Sequence, residues 1–135
     1  MDKQTGRYAA LTKRLVDSVL AMPGHTASEL RRSILARAAR LGGRRDPADR
    51  PGDGVPTSLA GYVDTVAVHA YKVTDEDLTA LQHAGNSDDV LFEVTVSAAL
   101  GAALGRLERG LAALRGEESS PPVPLSAARR GGTQE

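Results

Sequence analysis

Three side chains in this sequence carry chemistry that a helical site could use: His69, Glu93 and Arg106. An imidazole changes charge near neutral pH and can act as a general base. His69 stands in YVDTVAVHAYK, with Thr65 one helical turn before it, Tyr62 two turns before it, and Tyr71 and Lys72 close behind. The phenol of Tyr62 is a binding group for such a site. Glu93 interrupts an apolar run, and Ser97, Gly101 and Gly105 follow it at steps of four, which lays a polar and small stripe along one helix face. If that face is buried, Glu93 needs a cation such as Arg106, Arg109 or Lys72. With His69 on an adjacent helix, a base, an acid and the Arg106 guanidinium could meet at one apolar cavity.

Plainer readings stand beside each of these. His69 can be a half-buried histidine bonded to a neighbouring helix. Glu93 can be an exposed first-turn acid that complements the helix dipole, and its place in the sequence favours that reading. His83 suits the C-terminal end of a helix, and His25 sits in a loop.

Other chemistries have no residues to perform them. The chain has no cysteine, which removes disulfides, thiolate ligands and cysteine nucleophiles. The three histidines lack the i, i+4 spacing of a helical zinc site, so no metal and no cofactor is expected. Ser18, Ser28 and Ser33 stand in no nucleophile motif, and neither a phosphate-binding loop nor a dinucleotide fingerprint is present. Lys plus Arg and Asp plus Glu number 17 each, so no net charge draws the chain to nucleic acid. The arginines at 31, 32, 37, 40, 44 and 45 lack interleaved aromatics and are expected to form a solvated face. The N-terminal stretch has no apolar signal core, and charges bound the longest apolar run, so the expectation is a cytoplasmic chain with no membrane partner.

The elements that would position these groups are all helical. Only one Phe, three Tyr and no Trp accompany 41% hydrophobic residues, so Ala, Leu and Val must fill the core. Tyr8, Leu11, Leu15 and Val19 give the first helix, over about 3–21, its apolar face. Thr26 and Glu29 form a capping-box pattern that predicts a second helix to about Leu41, with Leu30, Ile34, Ala38 and Leu41 on its apolar face. The Gly- and Pro-rich segment 42–56 reads as a flexible loop. Thr57 is placed to cap a third helix to about Lys72. Thr74 with Asp77 caps a short fourth helix that stops at Gly85. Ser87, with Asp88 and Asp89 behind it, opens a last helix of roughly 28 residues that runs to about Arg115. The resulting division is an N-terminal helical pair (1–41), the loop, a helical body (57–116) and a disordered tail (117–135).

The stretch VTDEDLTALQHAGNSDDVLFEVTVSAALGAALGRLERGL resembles the C-terminal half of the AhpD-like superfamily, which holds the alkylhydroperoxidase D and carboxymuconolactone decarboxylase families. The matching features are the turn Ala84, Gly85, Asn86, Ser87, Asp88, Asp89 and the long Ala-rich helix with Arg106 near its middle. The preceding segment YVDTVAVHAYKVTDEDL is similar to the lead-in of the peroxidase-related branch, so the likeness spans Tyr62 to Leu111. It implies an all-α, AhpD-like helical domain with a long Ala/Gly-rich C-terminal helix, and homo-oligomers made through these helices. The peroxidase branch uses a Cys-x-x-Cys pair that this chain lacks, so thiol peroxidase chemistry is not implied and no family catalytic residue carries over. The expectation is a non-redox relative that binds or acts on a small molecule between the third and last helices, with His69 and Glu93 as acid/base groups and Tyr62 and Arg106 as binding groups. The alternative is a catalytically silent homo-oligomeric interaction protein.

Overall fold

The computed structural model describes residues 2–45 and 54–116, and the side chains from residue 6 onward. Within them the chain is all α, with five helices: α1 (Asp2–Ala21), α2 (Ser28–Gly42), α3 (Thr57–His69), α4 (Asp75–His83) and α5 (Asp88–Leu114). A single 3₁₀ turn, Ala70–Lys72, follows α3. Most of the predicted flexible loop, residues 46–53, and the predicted tail, 117–135, lie outside the described residues.

α2 and α5 form the centre of the molecule. Their backbones meet so closely that a Cβ on Gly101 would collide with the Leu35 carbonyl, one on Gly105 with the Ala39 carbonyl, and one on Gly42 with the Ala102 carbonyl. Two interior glycines in α5 each cost about 0.5–1 kcal/mol of helix stability relative to alanine. What they allow is backbone contact along two turns. The small-residue stripe is therefore spent inside the chain, on α2.

Packed against this pair, α3 completes the main core. Ile34 and Ala38 of α2, Val63 and Ala67 of α3, and Val94 and Ala98 of α5 are almost wholly buried within it. A second, smaller cluster joins Leu20 of α1, Leu35 of α2 and Leu104 of α5, with Val16, Val19 and Leu100 packed around it. α5 is long and apolar enough to cross a membrane by length and composition, and 44% of that window is buried against the rest of the chain.

The caps explain where most helices begin. Thr74 accepts the Asp77 amide while the Asp77 carboxylate accepts the Thr74 amide, so the expected capping box is complete. Ser87 Oγ accepts the Val90 amide, as its position implied. Gly85, at φ 106°, ends α4 with the left-handed residue that the stop required. Two expectations differ. Thr57 is the first helical residue of α3 and does not cap it. Thr26 does not cap α2, whose N-cap is Ala27 without a side-chain bond, because the Thr26 hydroxyl is committed to Glu93.

The apolar face predicted for α1 is also turned differently. Tyr8, Leu11 and Leu15 are 61%, 50% and 52% exposed, and Leu20 is the α1 residue that is buried. The helix touches the body through its C-terminal half.

Candidate functional site

The four side chains singled out by the sequence do not converge. Glu93 and Arg106 are thirteen residues apart on α5, which places them about 20 Å apart along its axis. Arg106 donates from Nη2 to the Ala67 carbonyl at 2.6 Å, near the point where α3 gives way to the 3₁₀ turn. It thus ties α5 to the end of α3. His69 is exposed at that end, with its Nδ1 3.5 Å from the Tyr71 hydroxyl and the two rings edge to face at 5.8 Å. Tyr71 is itself 79% exposed, so the pair lies on the surface. Tyr62 is half-buried between α3 and α5, its hydroxyl 2.6 Å from Thr95 Oγ1, and Thr95 donates in turn to the Leu91 carbonyl. Among the described residues no cluster of His, Asp and Glu could hold a metal ion.

Glu93 is where the sequence reading changes most. It is neither an exposed first-turn acid nor paired with Arg106, Arg109 or Lys72. Its side chain is 16% exposed and faces Arg31, which is 6% exposed, with Nη1 3.7 Å from Oε1. The loop between α1 and α2 wraps the carboxylate. The His25 amide donates to Oε2 at 2.6 Å, and the Thr26 amide and hydroxyl donate to Oε1 at 2.9 and 2.5 Å. Gly24 makes this approach possible, since a Cβ there would come within 2.8 Å of both the carboxylate and the Arg31 guanidinium. Burial alone would push the Glu93 carboxyl upward. The Thr26 hydroxyl, the His25 and Thr26 amides and the Arg31 charge outweigh it and hold the group below its ordinary value near 4.5.

Such a carboxylate is a poor proton carrier at neutral pH, because every donor around it stabilises the ionised form. Its bonds fasten the α1–α2 loop and Arg31 to α5. Arg31 extends the same network, donating from Nη2 to the Leu20 and Met22 carbonyls at the end of α1, at 3.2 and 2.7 Å. Its Nε is buried and finds no hydrogen-bond partner among the described residues. The arginine-rich α2 is accordingly more than a solvated face: Arg37 forms a two-pronged pair with Asp64 of α3, and Arg44 pairs with Glu108 of α5. Arg31 was discoverable in principle, because it shares a helical face with Leu35 and Ala38, one and two turns later.

A sizeable concave surface lies elsewhere, between α1 and α5. A cavity of about 590 Å³ separates the N-terminal half of α1 from the C-terminal half of α5. Buried Leu104 forms its floor, Leu11, Leu107 and Leu111 its walls, and Lys13 and Glu108 stand at its edge. A smaller hollow of about 200 Å³, lined by Val19, Phe92 and Val96, continues the same α1–α5 seam toward Glu93. Eight of the eleven exposed large hydrophobic residues belong to α1, the residue after it, or α5. The polar lining of the larger cavity is Tyr8, Thr12, Lys13, Glu108 and Arg115, and its leucine walls suit apolar matter. Comparison of the chain with family models, with curated proteins and with solved structures finds no match, so the functional reading rests on this geometry.

Proposed function

We propose that the chain is a catalytically silent helical interaction domain, built on the AhpD-like plan that its sequence resembles, and that it works through the apolar seam between α1 and α5. One observation carries this reading: a two-helix groove of about 590 Å³ whose apolar walls stand open. Monomeric proteins seldom leave a contiguous apolar patch of this kind without a use for it. The residues best suited to acid/base chemistry support the same view, since Glu93 and Arg106 are engaged in holding elements together and His69 stands apart from both. The groove volume also falls in the range of small-molecule pockets, which keeps an apolar small ligand as the second reading.

The reading is tested with the fluorescent apolar probe anilinonaphthalene sulfonate, titrated onto the folded chain at nanomolar concentration. The groove should bind the probe. Leu107→Glu should remove that binding, while His69→Ala should leave it unchanged. An absence of probe binding, or equal binding to the Leu107→Glu chain, would overturn the reading.

A further inference from the structure

We infer that the occupant of the α1–α5 seam is a second copy of this chain, with the apolar stripe on α1 of each copy seated in the groove of the other about a two-fold axis. The inference rests on the interaction reading above and adds the identity of the partner. It begins with self-complementarity. A groove between two helices is suited to an amphipathic helix bearing apolar residues every three or four positions. α1 is such a helix: Tyr8 and Leu11 line the groove, Leu15 continues their stripe one turn further on, and all three are at least half exposed. One surface therefore supplies both the receptor and its ligand, the condition for an isologous contact.

Area gives the second argument. Tyr8, Leu11, Leu15, Phe92, Leu107 and Leu111 are between 38% and 69% exposed. With large apolar residues of roughly 150–250 Å² each, they offer on the order of 600 Å², and a polar rim would bring the contact to the ~800 Å² per partner of a standard interface. Charge gives the third. The rim bears Lys13, Glu108 and Arg115, and within the chain Lys13 is paired with Asp17 and Glu108 with Arg44. A rim of both signs, largely neutralised by its own pairs, suits a copy of itself better than a polyanion or an anionic lipid surface. The α1–α5 seam, not the Gly101 and Gly105 stripe, is then where copies meet.

Sedimentation equilibrium of the full chain from nanomolar to high micromolar concentration tests the inference. The wild-type mass should rise toward that of a dimer. Leu11→Glu and Leu107→Glu, both at half-exposed positions that leave the core intact, should each weaken the association about tenfold or more. Tyr71→Glu, an exposed apolar position away from the seam, should not. Circular dichroism confirms that each variant folds. The same samples are titrated with anilinonaphthalene sulfonate, which should lose its site as the dimer forms. A chain that stays monomeric at every concentration while the probe binds would overturn the second copy and leave the interaction reading standing. A monomer that binds no probe would overturn both. A dimer equally strong in both glutamate variants, or a monomer whose native mass spectrum carries a bound small molecule, would also refute the inference.

Discussion

Glu93 shows how far a single residue can depart from its apparent role. Its neighbours in sequence are apolar, and it lies in the second turn of α5, behind the first-turn acids Asp88 and Asp89; its actual partners, His25, Thr26 and Arg31, are more than sixty positions away. Nothing local in the sequence predicts that pairing, because the α1–α2 loop meets α5 only once the chain has folded. Removing one partner of a buried ion pair leaves the other uncompensated, so Glu93→Ala should lose about 3–5 kcal/mol in urea denaturation. The pH dependence has a definite sign. The folded carboxyl lies below its unfolded value, so its contribution is complete above about pH 4.5 and is lost as pH falls through the folded value. Glu93→Gln should therefore be less stable at neutral pH and show a shallower loss of stability on acidification, measured as thermal midpoints across the acid range. A parallel acid limb in both chains would refute the assignment. Ser97 makes the opposite case. Its side chain is fully buried and its hydroxyl finds no hydrogen-bond partner among the described residues. Ser97→Ala should gain about 1 kcal/mol, since an unsatisfied buried hydroxyl costs about that much or more.

At the scale of the element, the helices and most of their starts were legible because local chemistry decides them. Thr74 with Asp77, Ser87, and Gly85 act within one turn of their own positions, and each performs as its type implies. The Thr26 box failed because a tertiary partner took the hydroxyl. The turn of α1 was illegible for a related reason: periodicity reveals an apolar face but not what covers it. Glycine spacing likewise signalled close approach on α5 and could not say whether the neighbour belonged to the same chain. Paired substitutions separate these cases. Gly105→Ala places a methyl against the Ala39 carbonyl and should cost about 2 kcal/mol or more. Gly110→Ala, on the same helix with open space around it, should instead gain about 0.5–1 kcal/mol from improved helix propensity. Equal effects at the two positions in chemical denaturation would count against the α2–α5 contact.

Across the whole molecule, α2 is the element to which α1, α3 and α5 are all tied. Arg31 reaches the end of α1 and Glu93, Arg37 reaches Asp64 on α3, and Arg44 reaches Glu108 near the far end of α5. The apolar core repeats that arrangement, since α2 contributes to both clusters. α1 has no comparable support over its first half. Among its described side chains, the buried contact is made by Leu20 and the partly buried Val16 and Val19, packed with Leu35 and Leu104. Segments with few buried apolar contacts open at low free-energy cost, so α1 should open from its N-terminal end while α2, α3 and α5 stay closed. In hydrogen exchange at low chain concentration, amides of residues 10–15 should be protected at least about tenfold less than those of residues 94–105. If a second copy fills the seam, raising the concentration should increase protection at residues 10–15 selectively. The Leu107→Glu chain should show the same weak protection of α1 at every concentration, because its groove can no longer receive the partner's helix.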